Sequence, residues 1–238
     1  MEHYQNTVKG LFGSRILFIG LQGSYGRGEA HESSDIDVVL ILDTVSLTDL
    51  NQYKQAIESL PDKSLICGFV SGKDELAGWY GADLFQFYHD TISYYGNLDE
   101  IISPLTEADT HSAVLIGACN LYHMCSHNYL HSGDIETLKS LYKSAFFVLQ
   151  AKYYSETGNY VRTHSALKNV LTGTDLKVLE YAEQVKATDG SQTSLEQYSE
   201  LILQWTHKLI MEFKMPYSGF NTHFQISEPA THEVITGM

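Results

Sequence analysis

Gly23-Ser24-Tyr25-Gly26-Arg27-Gly28-Glu29-Ala30-His31-Glu32-Ser33-Ser34-Asp35-Ile36-Asp37-Val38-Val39 is the stretch that decides the fold. It lies between two apolar runs, Ile16-Leu17-Phe18-Ile19-Gly20-Leu21 and Ile36-Asp37-Val38-Val39-Leu40-Ile41-Leu42, each of strand length and character. The first run delivers the chain into a Gly-Ser turn, followed by a polar loop with one helical turn. The second begins with Asp-x-Asp. Strand side chains alternate faces, so Asp35 and Asp37 project together from one strand end. Two carboxylates so placed raise each other's pKa unless a cation lies between them. Mg²⁺ suits carboxylate oxygens that also meet phosphates. Glycine at Gly23 lets the backbone approach a phosphate closely, and Arg27 adds a positive charge to the same loop.

Outward from this stretch the first hundred residues mix strand and helix. Ser46 to Leu60 has helical spacing and opens with a Ser–x–x–Asp cap at Ser46 and Asp49. Leu65 to Val70 reads as a third strand. Leu84 to Tyr95 is aromatic, and its periodicity fits either a strand or a helix with a turn. After Pro104 the apolar residues recur at three and four, as in Leu138, Leu141, Tyr142, Ala145, Phe146 and Leu149. Helices are predicted over 108–131, 134–157, 162–171, 174–187 and 193–214, with Gly133, Gly158, Gly173 and Gly190 as stop signals. The tail from Met215 shows no clear period. The expected division is 1–105, mixed α/β, and 106–238, an all-α bundle.

The turn, the ten-residue spacing and the Asp-x-Asp strand resemble the nucleotidyltransferase fold of the DNA polymerase beta superfamily. Leu21-Gln22-Gly23-Ser24 and Asp35-Ile36-Asp37-Val38 carry the likeness, with Gln22 standing where an apolar residue is usual. The order of an α/β domain and a helical bundle is similar to the small bacterial aminoglycoside nucleotidyltransferases. The resemblance implies an α+β nucleotidyltransferase domain followed by the bundle. It implies that Asp35 and Asp37 bind Mg²⁺ and the triphosphate of ATP or another nucleotide, and that Gly23, Ser24 and Arg27 hold phosphates. It implies transfer of a nucleoside monophosphate, AMP from ATP in the leading case, to a hydroxyl of a small molecule such as an aminoglycoside-like antibiotic, with release of pyrophosphate. A third carboxylate is usual on a later strand. Here Leu65 to Val70 has none, and Cys67-Gly68 fills its middle. Asp90, in an aromatic stretch where a lone carboxylate is costly, is favoured as the third catalytic carboxylate, ahead of Asp83 and then Glu75.

The chain has 238 residues, with 15 Lys and Arg against 29 Asp and Glu and a formal charge of −14. Residues 1–100 hold 15 of the acids against 6 bases. Gripping a nucleic acid backbone takes clustered basic residues, so no nucleic acid partner is expected. Negative charge suits a small cationic acceptor. No apolar run spans a membrane and the start lacks a signal-peptide pattern, so a cytoplasmic location is expected. The three cysteines, Cys67, Cys119 and Cys125, form neither a disulfide framework nor a zinc cluster. His123, His127 and His131 share a helix face, with a structural or acceptor-pocket role favoured over a metal. Glu156, Tyr160 and Arg162 are further pocket candidates, whereas Trp79 and Trp205 read as packing residues. Two other function classes stay open. One is a regulatory nucleotidyltransferase of the toxin–antitoxin type that modifies a protein hydroxyl. The other is a non-catalytic nucleotide-binding protein.

Overall fold

A computed structural model describes residues 1–32, 34–188 and 190–214. The reading of the tail from Met215 lies outside the described residues. The chain opens on helix α1 (Glu2–Phe12), which the sequence reading did not assign, and passes through a short 3₁₀ turn to strand β1 (Ile16–Leu21). The Gly-Ser turn begins the one-turn helix α2 (Gly23–Arg27), closed by Gly28 at φ 72°. Strand β2 (Ile36–Leu42), helix α3 (Leu47–Ile57) and strand β3 (Ile66–Gly72) follow. Ser46 caps α3 in a full capping box with Asp49, as the pattern predicts. The ambiguous aromatic stretch resolves into both alternatives. After the short helix α4 (Lys73–Ala77) comes helix α5 (Gly81–Asp90), and then strand β4 (Ile92–Tyr95).

The four strands form one mixed sheet in the order β3-β2-β1-β4. Strands β1 and β2 run antiparallel with Leu21 opposite Val38, and β2 and β3 run parallel with Asp37 opposite Cys67. The alternation of β2 decides everything that follows. Val38, Leu40 and Leu42 pack with Tyr4, Val8 and Phe12 of α1 and Tyr53 of α3. Val39 and Ile41 face the other way, onto Phe18, Leu84 and Phe87. Asp37 is in phase with Val39 and Ile41 and therefore lies on the α5 side of the sheet.

Beyond β4 the described chain is helical, through α6 (Glu107–His127), α7 (Ile135–Thr157), α8 (His164–Val170), α9 (Gly173–Gln184) and α10 (Gln192–Phe213). All five predicted spans shift at their ends, α7 by a single residue. The helix expected to reach residue 131 ends at His127 and continues as a π-helical turn, Asn128–Ser132. The helix expected from 162 begins at His164, after the Thr163 cap. The helix expected over 174–187 ends at Gln184 and tightens into a 3₁₀ turn, and α10 begins one residue before the predicted 193. Gly133 and Gly158 do end helices in left-handed conformations, but Gly173 opens α9 at φ 58° and is not a stop. One core of about two dozen buried residues runs through these helices, with Trp205, Tyr142, Phe146 and Leu138 at its centre. Phe85 of α5 is part of that core, while its neighbours Leu84 and Phe87 belong to the sheet core. Helix α5 thus presents opposite faces to the sheet and to the bundle. No helix among the described residues is long and apolar enough to cross a membrane.

Candidate active site

A cavity of about 1050 Å³ opens between the ends of β1 and β2, helix α5 and helix α7. Gln22, Gly23, Ser24, Arg27, Asp35, Asp37, Asp83 and Asp90 all line it. The Gly-Ser turn is held against β2 by the Gln22 amide, which donates to the Asp37 carbonyl at 2.8 Å. Gly23 has φ +65°, and a Cβ there would fall 1.9 Å from Asp37 Oδ2. Only glycine lets the turn lie against this carboxylate. The polar residue at Gln22 is also explained. Its side-chain amide donates to Thr91 Oγ1 at 2.6 Å and to the Phe87 carbonyl at 3.2 Å, tying the turn to the end of α5.

Asp35 is exposed just before β2 and Asp37 is half-buried on it. The Asp37 carboxyl is pushed up, first by burial and then by the Asp35 charge, while Lys143 and Arg27 pull it down. Lys143 lies on α7, so the bundle contributes a cation to the carboxylate pair. No group of three or more metal-ligating side chains occurs among the described residues. The pair nevertheless fits Mg²⁺, which takes one or two protein carboxylates and completes its shell with water and phosphate oxygens. Like-charge repulsion at Asp37 is the imbalance that such an ion relieves.

The helical repeat of α5 places Ala82, Asp83, Gln86, Phe87 and Asp90 along the cavity wall, the last three at offsets of three, four and seven residues from Asp83. Both leading candidates for the third carboxylate therefore reach the same cavity. They differ in setting. Asp83 is exposed in the first turn of the helix. Asp90 is 5% exposed at its last residue. Its Oδ2 accepts from Arg27 Nη1 at 2.8 Å, and its buried Oδ1 has no hydrogen-bond partner among the described residues. Burial raises the Asp90 pKa, against the pull of Arg27, Arg162 and the Gly23 amide. Glu75, the third candidate, does not line the cavity; it lies against Gly72. The sheet position beside Asp37 is taken by Cys67, as the register shows.

Arg27 is nearly buried, with Nε 3.2 Å from Glu29 Oε2 and Nη1 on Asp90. Its guanidinium also lies over the Phe146 and Phe147 rings. Glu29 in turn accepts from the His164 backbone amide at 2.7 Å and contacts His164 Nδ1 at 2.9 Å. Arg162 donates to the His89 carbonyl at 2.7 Å, behind Asp90. Burial next to the Arg162 charge lowers the His89 pKa to about 4, leaving a neutral ring stacked on Tyr160. Lys143, Glu29, His164 and Phe147 escaped the sequence reading because each reaches the site only through the docking of bundle on sheet. Trp79 was expected to pack only. It does pack edge-to-face on Phe69 and Phe87, but it also lines the cavity. Trp205 is a packing residue, as expected. Glu156 and Tyr160 do not line the cavity; Glu156 pairs with Lys152, and the Tyr160 hydroxyl accepts from Gln86.

The family model described as nucleotidyltransferase domain matches residues 4–70. That span contains the Gly-Ser turn and both residues of the Asp-x-Asp pair. No curated protein sequence matches the chain. Among solved structures the chain is similar to the spectinomycin adenyltransferase AAD(9) from Enterococcus faecialis, crystallised with ATP and spectinomycin. The two share 12% identity and superpose with a TM-score of 0.54 over 89% of this chain and 99% of the other. Residues 4–70 therefore match a nucleotidyltransferase domain, and the chain as a whole shares its fold with that adenyltransferase.

Proposed function

We propose that the cavity binds a nucleoside triphosphate, with ATP the first choice, and transfers its nucleoside monophosphate to a hydroxyl of a small molecule. The observation that carries this reading is the convergence of Gly23-Ser24, the Asp35–Asp37 pair and the buried Asp90 on one cavity. Gly23 and Ser24 receive the terminal phosphates. Asp35 and Asp37 hold Mg²⁺, which when bound neutralises phosphate charge and steadies the leaving pyrophosphate. Lys143 and Arg27 add positive charge to the walls. Asp90 accepts the proton of the attacking hydroxyl, and Arg27 holds its Oδ2. The acceptor oxygen forms the new bond to the α-phosphorus as the bond to the β-phosphate oxygen breaks. Catalysis of this kind is positioning and charge neutralisation.

The cavity carries four carboxylates, Asp35, Asp37, Asp83 and Asp90, against Arg27 and Lys143. That balance favours a cationic acceptor. ATP and spectinomycin in the AAD(9) crystal support the same kind of pair, a nucleotide with a small molecule. The test is pyrophosphate release from each nucleoside triphosphate with Mg²⁺ and a panel of aminoglycosides. Acceptor-dependent release, lost in Asp35→Asn and Asp37→Asn, is expected. Label transferred to protein, or nucleotide binding with no release for any acceptor, would overturn the small-molecule reading.

A further inference from the structure

A second cavity, of about 320 Å³, lies beside the first between α5, α6 and α7. Ala82, Gln86 and Phe147 line both, so the two cavities adjoin. Three helical stripes build it. Helix α5 gives Ala82, Phe85 and Gln86; α6 gives residues at 113, 117, 120, 121 and 124; α7 gives residues at 141, 144, 147, 148 and 151. Small side chains make the space, namely Ala82, Ala113, Gly117 and Ala151. Leu121, Leu141, Val148 and Phe85 furnish buried apolar walls. A Cβ on Gly117 would fall 2.6 Å from Val148 Cγ2, so this glycine sets the approach of α6 to α7. Among the described residues, polar side chains come only from Gln86, Asn120 and Ser144. Among the described residues no charged one lines this cavity, whereas the first has six residues of fixed charge.

We infer that this annex receives an apolar arm of the acceptor, so that the acceptor is an amphiphilic hydroxyl compound, with its reacting hydroxyl at Asp90 and an aliphatic or ring substituent between α5, α6 and α7. The inference rests on the transfer reading above and narrows its substrate class. The nucleotide does not suit the annex. Its triphosphate is assigned above to Gly23 and Ser24, on the sheet side, and the described lining of the annex offers no charged group to a nucleotide. An apolar arm needs none, and its transfer from water drives binding in proportion to the area buried.

The probe is a series of n-alkyl β-D-glucopyranosides, from methyl to hexyl, titrated into the full-length protein with saturation-transfer nuclear magnetic resonance. The expected result is a Kd that falls roughly fourfold per added methylene, with the alkyl protons receiving most saturation. Two plugs, Ser144→Trp at the exposed rim and Ala113→Leu inside, remove that dependence on chain length while leaving MgATP affinity within about twofold. Because Ser144 is exposed, its replacement leaves the core intact. A Kd that ignores chain length overturns the inference, as does a gradient that survives both plugs. Loss of ATP affinity in the plugged variants overturns it too, by giving the annex to the nucleotide. Absence of MgATP binding in the unmodified protein instead sinks the transfer reading, and the glycoside gradient still reports on the annex.

Discussion

Asp90 and Asp83 stand seven residues apart on one face of α5 and reach one cavity, yet physical setting separates their roles. A general base works best when its pKa is lifted toward the working pH and its free oxygen faces the substrate. Burial raises the Asp90 pKa and its Oδ1 has no hydrogen-bond partner among the described residues, which makes Asp90 the proposed base. Asp90→Asn is expected to lower kcat by about 10²–10⁴-fold, whereas Asp83→Asn, at an exposed position, leaves kcat within about threefold. Steady-state pyrophosphate release by the two variants decides it, and equal losses would remove the distinction. The pH profile gives an independent reading. In the proposed mechanism the charged form of Asp90 is the active base, so kcat is expected to rise with pH through its raised pKa. Arg27→Met removes the main charge holding that pKa down. The rise is then expected at higher pH than in the unmodified protein, which a kcat–pH series on Arg27→Met measures.

The Gly-Ser turn and the start of β2 were legible because their chemistry is local. Glycine, the spacing and the alternation of a strand lie within seventeen consecutive residues, and each constrains the next. Helix α5 was legible only in part. Its residues face sheet and bundle at once, so Ala82, Leu84, Phe85 and Phe87 are all buried and no single apolar stripe marks the period. Lys143 was not legible at all, because an exposed lysine on a helix acquires meaning only from what docks opposite it. The local elements also bear the sharpest structural test. Gly23→Ala forces a left-handed residue to carry a Cβ, at a cost of about 1 kcal/mol, and drives that atom into Asp37 Oδ2. Displacing a carboxylate proposed to hold Mg²⁺ by about an ångström costs roughly 10²-fold. Gly23→Ala is therefore expected to stay folded while losing roughly 10²-fold in kcat/KM, read by kinetics beside circular dichroism. In the bundle, Lys152 on α7 is nearly buried and holds Asp175 Oδ2 at 2.8 Å, while Trp205 Nε1 donates to Asp175 Oδ1. Lys152→Met strands that carboxylate and is expected to destabilise the protein by about 3 kcal/mol at pH 7. The Lys152 pKa is raised above 10.5. Its contribution is thus fully present below that pH and fades above it, so the gap between variant and parent in urea unfolding narrows in strong alkali.

Sheet and bundle were each foreseen in the sequence, but their junction was not, because it depends on pairs such as Glu29 and His164 that are 135 residues apart. That junction is polar and continuous. Glu29 accepts from the backbone and ring of His164 at the start of α8, and from Arg27, which holds Asp90. The His164 ring stacks on Phe146 of the bundle core at 3.7 Å between centroids. The loop after the Gly-Ser turn is thereby bolted to the bundle, and the orientation of Asp90 depends on the bolt. The Glu29 pKa is lowered by its partners, His164 first among them, although burial opposes the shift. A carboxylate whose folded pKa is depressed stabilises the fold above its unfolded pKa, and that contribution is lost as pH falls through the folded value. Glu29 is partly exposed, so solvent screening holds the contribution of the pair to about 1 kcal/mol. Glu29→Gln is expected to lower stability by about this amount at pH 7, with the difference from the parent vanishing as the pH drops below 4.5, the ordinary value from which the Glu29 pKa is lowered. Equilibrium unfolding in urea at pH 7 and in the acid range measures both ends. Because Glu29 steadies Arg27, the same substitution is expected to lower kcat more than it raises the KM for nucleotide, whereas a purely structural contact would leave the turnover of the folded fraction unchanged.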